Sequence, residues 1–209
     1  NGLDEAPRSG AAEAGRKKFR EQHKLAADDA AILFVARNYD LKGLEPLLEA
    51  FAPVAQRHPE ARLFCCGSRS EGAFRRQARR LGIEEQVKFL GFVDDIEACF
   101  AGCDVFAFPT FYDPCSLVAL EALACGLPVI TTRYNGASEL LTPPSDGVVV
   151  DDPHNGPALA AAMTKMFDRG YLREASVAAR ATGSRWTFEH HYQGLLDVFR
   201  EAKQIKRAA

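Results

Sequence analysis

Two cations stand five positions apart in the segment Val35-Ala-Arg-Asn-Tyr-Asp-Leu-Lys-Gly43. Arg37 offers a planar fork of donors that matches phosphate oxygens, and Lys42 offers a mobile point charge. An apolar run precedes the segment and a helical pattern follows it. Arg37 is therefore expected at a strand tip and Lys42 in the first turn of the next helix. A lysine beside the positive end of a helix dipole is unfavourable, and a nearby anion would relieve it. Taken alone, the segment fits two solvated surface cations equally well. It is not a Walker sequence and does not by itself point to ATP.

The second chemical segment runs from Phe108-Pro-Thr-Phe-Tyr-Asp-Pro-Cys-Ser through Leu-Val-Ala-Leu-Glu-Ala-Leu-Ala-Cys-Gly126. Pro109 and Pro114 stiffen the exit from an apolar strand. Ser116 is placed to cap the following helix, leaving the amides of Leu117, Val118 and Ala119 partly unpaired. Amide donors and the helix dipole acting together make an anion site. Asp113 stands just before that helix. Glu121 stands inside it, among Leu117, Val118, Leu120 and Leu123, where a carboxylate is costly to bury without partners. Two readings of Glu121 are open: an exposed helix position, or a carboxylate that accepts from vicinal hydroxyls such as those of a ribose.

These segments need a frame to bring them together. The chain has 209 residues, 47% of them apolar, and a formal net charge of −2. A chain of this length buries roughly 70% of its unfolded surface, enough for one self-sufficient core. Near-neutral charge gives no electrostatic case for nucleic acid as a partner. No uninterrupted apolar run is long enough to span a bilayer, and no secretory leader is apparent. A cytoplasmic placement is therefore expected. The opening Asn1-Gly2-Leu3-Asp4 lacks an initiator methionine, as expected of a piece of a longer chain. Cysteines at 65, 66, 99, 103, 115 and 125 form neither a CxxC pair nor a His/Cys ligand set. They read as reduced, small apolar side chains.

Continuous apolar runs at 31–36, 61–66, 87–90, 104–108, 128–132 and 147–150 are the mark of strands covered on both faces. Helical patterns lie between them, over 11–25, about 44–51, 71–82, 94–101 and 116–125. The chain ends in helices at 155–169, 171–182 and 188–206. Gly126 is placed as the residue just beyond a helix end. This alternation predicts one α/β domain, a Rossmann-like parallel sheet with helices on both faces, over residues 11–209, after a hinge at 1–10. In such sheets ligands sit at the carboxyl ends of the strands, which is where both chemical segments fall.

Asp113 and Glu121, with seven residues between them, resemble the Glu–seven residues–Glu motif of the retaining GT-B glycosyltransferases of family four. Ala-Cys-Gly-Leu-Pro-Val-Ile-Thr-Thr and then Asn135-Gly-Ala-Ser-Glu139 look like the rest of that signature. Arg37 and Lys42-Gly43 match the family's diphosphate-holding Arg and Lys-Gly. Cys66-Gly67-Ser68 stands at its glycine-containing loop, and Gly91-Phe92-Val93 at the segment whose backbone meets the base. The opening Asn-Gly-Leu-Asp resembles its hinge, and Trp186 with the last helix its C-terminal element. Within the family, Asn-Tyr-Asp-Leu-Lys-Gly and Asp-Pro-Cys-Ser look most like bacterial lipopolysaccharide-core glucosyltransferases.

The resemblance implies the donor-binding half of a hexosyltransferase, acting on a nucleotide-diphosphate sugar, with UDP the expected nucleotide. Arg37, Lys42 and the amides of Leu117 and Val118 after Ser116 would hold the diphosphate, and Glu121 the ribose. Asp113 would contact the donor sugar. Gly67, Phe92 and Val93 would line the donor site. No cofactor or metal is implied: the metal-binding Asp-x-Asp pattern is missing, and the cations would stabilise the leaving group instead. The glycan or lipid-linked acceptor would be held by an N-terminal domain absent from this chain. The isolated half would then bind donor without transferring. Peripheral contact with the inner membrane is a further expectation, and Arg75, Arg76, Arg79 and Arg80 form a cationic stripe that reads either as a solvated face or as such a contact. The family usually carries Glu where Asp113 stands, and Asp is shorter by one methylene.

A dinucleotide-dependent oxidoreductase is disfavoured because the first strand is not followed by G-x-G-x-x-G. A thiol enzyme using Cys115 is disfavoured because no histidine accompanies it in its motif. A non-catalytic sugar-nucleotide-binding module remains the alternative to an enzyme.

Overall fold

The computed structural model describes residues 9–68 and 70–208. The six apolar runs form strands β1 (Ala30–Val35), β2 (Ala61–Cys66), β3 (Val87–Gly91), β4 (Val105–Phe108), β5 (Val129–Thr132) and β6 (Gly147–Val150). They make one parallel sheet in the order β3-β2-β1-β4-β5-β6. The central strands are apolar along their whole length because both faces are covered. Ala31, Ile32, Leu33 and Phe34 are fully buried, as are Phe106 and Ala107 beside them.

Helices α1 (Ser9–Gln22), α4 (Ile96–Gly102), α5 (Leu117–Ala124) and α7 (Arg169–Gly183) cover one face of the sheet, packed as α1 on α4 and α5 on α7. Helices α2 (Leu44–Arg57), α3 (Gly72–Arg80) and α6 (Gly156–Lys165) cover the other, with α2 between the other two. The chain ends in the long helix α8 (Phe188–Ala208). Of the segment 1–10 expected as a hinge, Ser9 and Gly10 belong to α1. Residues 1–8 lie outside the described residues.

From β1 the chain moves outward through α2 to β2. From β4 it moves the opposite way through α5 to β5. The two departures leave a crevice above the carboxyl ends of β1 and β4, the position where doubly wound sheets bind ligands. The loops after β1 and β4 carry the two chemical segments.

A candidate donor cleft at the switch point

The loop after β1 is a series of turns. Asn38 Oδ1 accepts from the Leu41 amide at 3.0 Å, and the Lys42 amide donates to the Asn38 carbonyl at 3.2 Å. Gly43 closes the series at φ +80, a left-handed conformation. A Cβ there would lie 2.0 Å from the Pro109 carbonyl oxygen, so glycine alone lets this loop meet the loop after β4. The two are stitched together by Phe111 N donating to Leu41 O at 3.1 Å and Thr110 Oγ1 donating to the same oxygen at 3.2 Å. Helix α2 begins only at Leu44, so Lys42 sits before the first turn rather than within it.

The loop after β4 is fixed from the other side by Asn135, which is fully buried. Its Oδ1 accepts from the Ser116 and Ala137 amides at 3.3 and 3.1 Å, and its Nδ2 donates to Thr131 Oγ1 at 3.1 Å. Asp113 N donates to Tyr134 O at 3.0 Å and Gly136 N to Asp113 O at 2.8 Å. Ser116 caps α5, accepting from the Ala119 amide at 3.3 Å. That satisfies Ala119, one of the three amides expected to be available. Leu117 and Val118 keep amides without a hydrogen-bond partner among the described residues.

Between these loops lies a cleft of about 480 Å³. Arg37, Lys42, Gly67, Phe92, Val93, Asp113, Ser116, Leu117 and Val118, all singled out in the sequence, line it together. Asn38, Cys66, Ile96 and Phe108 line it as well, without having been singled out. Gly67, at φ +100, brings the loop after β2 to the rim; a Cβ there would lie 2.6 Å from Ala36 O. Phe92 stands 58% exposed at the mouth. The Cys66 thiol on the floor is hydrogen-bonded with Cys99 and buried, both of which push its pKa far above the ordinary value and keep it neutral. No disulfide joins the cysteines.

The charges of the cleft are unequally engaged. Lys42 Nζ bonds Asp113 Oδ2 at 2.9 Å and Tyr112 O at 2.8 Å, 5.7 Å above the Phe108 ring centroid. The pair is largely buried, with side chains 19% and 16% exposed. Asp113 Oδ1 also accepts from the Cys115 amide at 3.2 Å. Arg37 is exposed and has no ion pair or hydrogen bond among the described residues. The cleft thus offers an unpaired guanidinium, a half-engaged ammonium and two open amides at a helix start, a constellation suited to an anion.

Glu121 is the one predicted site residue that does not line the cleft. It lies one turn further along α5, half-buried, and its carboxylate has no hydrogen bond or ion pair among the described residues. Burial raises its pKa.

The glycosyl transferases group 1 family matches residues 15–186. The chain belongs to this family. It is 29% identical over 192 residues to an uncharacterized glycosyltransferase of Methanocaldococcus jannaschii, covering 90% of this chain and 49% of that protein. It is 27% identical over 162 residues to the lipopolysaccharide glucosyltransferase WaaG of Escherichia coli K12, covering 77% and 43%. The crystal structure of Anabaena HepE in complex with UDP superposes with a TM-score of 0.79 at 26% identity, over 90% of this chain and 53% of that one. The chain therefore spans about half the length of the relatives it matches. As a group 1 glycosyl transferase domain it carries the family's parallel Rossmann-like sheet, with the cleft at the switch point.

Asn135 is the organising residue that the sequence alone did not single out for a role. A buried amide that caps a turn, orients the start of α5 and reaches back to β5 has a faint local signal, an Asn before Gly just after an apolar strand.

Proposed function

We propose that this chain is the donor-binding half of a hexosyltransferase that takes the sugar of a nucleotide diphosphate, with UDP as carrier, and delivers it to a glycan or glycolipid. Supporting UDP is the likeness to HepE, solved with UDP. Supporting a glycolipid acceptor is the likeness to a lipopolysaccharide glucosyltransferase. The acceptor would be held by the half of the enzyme that this chain does not span. The hinge before α1 would join the two. We place the enzyme in the cytoplasm, at the periphery of the inner membrane. Among the described residues no helix is long and apolar enough to cross a membrane.

Transfer breaks the bond between the sugar C1 and the diphosphate oxygen while negative charge grows on the leaving group. Arg37, Lys42 and the amides of Leu117 and Val118 stabilise that charge from fixed positions without a metal ion. Glu121 takes the ribose hydroxyls after a small shift of α5 or of the ligand toward it. Asp113 orients the donor sugar, and the acceptor attacks from the face the diphosphate leaves, so configuration is retained. Asp113 is not a covalent nucleophile in this scheme.

The observation that carries the proposal is the convergence of Arg37, Lys42 and the start of α5 on one cleft at the switch point. Calorimetry with UDP tests it. The Arg37→Ala, Lys42→Ala double variant is expected to bind at least about a hundredfold more weakly than wild type, about 2.7 kcal/mol. Equal binding by both proteins would remove the diphosphate assignment.

A further inference from the structure

The cleft already contains an anion of its own. Asp113 Oδ2 lies 2.9 Å from Lys42 Nζ, and its other oxygen is held by the Cys115 amide. Lys42 has three N–H donors. One serves Asp113 and one serves the Tyr112 carbonyl, so Asp113 is the one charged partner of the ammonium among the described residues. A diphosphate entering this cleft meets Lys42 half-neutralised and meets a carboxylate of its own sign a hydrogen bond away. In a part-buried site such like-charge proximity is only weakly screened.

We propose that Asp113 is a displaceable counter-ion of Lys42: the incoming diphosphate takes the lysine, and the carboxylate is released to meet the donor sugar. This rests on the cleft being the diphosphate site. Donor binding and the arming of Asp113 are then one event. With one N–H left over, the lysine meets a phosphate oxygen only as a charge shared with Asp113, so its full engagement by the diphosphate and the release of the carboxylate go together. The short Asp side chain is what permits the closed pair, because its carboxylate stays close to the backbone where the Cys115 amide fixes it. The contact lowers affinity for the nucleotide by the strength of the bond that must be broken, and that cost makes the proposal measurable. Removing the charge of Asp113 should strengthen nucleotide binding even though it removes a group needed for transfer, the opposite of what a residue that simply holds the donor would show.

Calorimetry on the 209-residue chain with UDP and with uridine, using Asp113→Asn and Arg37→Ala, decides it. Asp113→Asn should bind UDP about tenfold more tightly than wild type and uridine unchanged, because only the diphosphate competes for Lys42. Arg37→Ala should bind UDP more weakly. If Asp113→Asn binds UDP equally or more weakly while Arg37→Ala still loses affinity, the counter-ion role is overturned and the diphosphate cleft stands. If Arg37→Ala also binds like wild type, the cleft assignment falls and the counter-ion role with it. Should Asn lower the melting temperature, Asp113→Ser keeps an acceptor for the Cys115 amide and is held to the same expectation.

Discussion

Two clefts open at opposite ends of the sheet, and the larger is the less promising. Above the carboxyl ends of β1 and β4 lies the 480 Å³ cleft with Arg37 and Lys42. Near the amino ends of β4 and β5, between α1, α4 and α7, lies one of about 730 Å³, lined by Arg16, Arg169, Arg173 and Arg180. Three of these four guanidiniums are committed to the protein. Arg16 donates to the Ala101 and Cys103 carbonyls at 3.2 and 3.1 Å and to Asp104 at 2.7 Å. Arg180 donates to the Cys125 carbonyl at 2.9 Å, and Arg169 to the carbonyl of Asp28. Arg173 alone has no such bond among the described residues. In the smaller cleft the position reverses: Arg37 is uncommitted, Lys42 is held by a neighbour that can move, and two helix-start amides are open. Neither volume nor count of cations marks a binding site; donors left unsatisfied by the fold do.

Substitutions in the two clefts should have graded effects. Largest is Gly43→Ala. Its Cβ would press on the Pro109 carbonyl at a left-handed φ of +80, so the loops after β1 and β4 must part. Denaturant unfolding should show a loss of about 4 kcal/mol, with UDP binding lost as well. Arg16→Ala, in the other cleft, should cost about 1–2 kcal/mol of stability by leaving the Ala101 and Cys103 carbonyls without this donor and Asp104 with only Arg20 and the Ala31 amide. UDP affinity should stay within about twofold of wild type. A marked loss of nucleotide binding there would erase the distinction between the two clefts.

Glu121→Gln should have the smallest effect on folding and a telling one on binding. Burial raises the Glu121 pKa, so the folded chain holds its proton to a higher pH than the unfolded chain. Between the ordinary and the raised value stability therefore falls as pH rises, and the charged form remains at a disadvantage above that window. Glu121→Gln removes this dependence, and its melting temperature at neutral pH should equal or slightly exceed that of wild type. If ribose hydroxyls donate to this carboxylate, UDP affinity should fall about tenfold in the variant. In wild type it should weaken as pH drops through the raised value. Calorimetry and melting curves across the acid range check both.

Most of the scaffold was legible because its signals are local. Continuous apolar runs located all six strands, two of them, 61–66 and 147–150, to the residue. Ser116 announced the start of α5, and Gly126, at φ +84, its end. The short 3₁₀ turn at Gly136–Leu140 went unread because five residues carry too little periodicity. Helix α7 starts at Arg169, two residues early, because Asp168 caps it by accepting from the Tyr171 amide. At the site, the residue types were legible and their engagements were not. The Lys42–Asp113 pair joins positions 71 residues apart, and nothing at either position encodes the other. Glu121 was legible as an anomalous carboxylate, but whether it faces the cleft depends on how α5 rotates against α7. That is a matter of packing.

The most direct test is a crystal of this chain soaked with UDP. The diphosphate is expected between Arg37, Lys42 and the amides of Leu117 and Val118, with Asp113 turned away from Lys42. Diphosphate density anywhere else, with the Lys42–Asp113 pair intact, would contradict it.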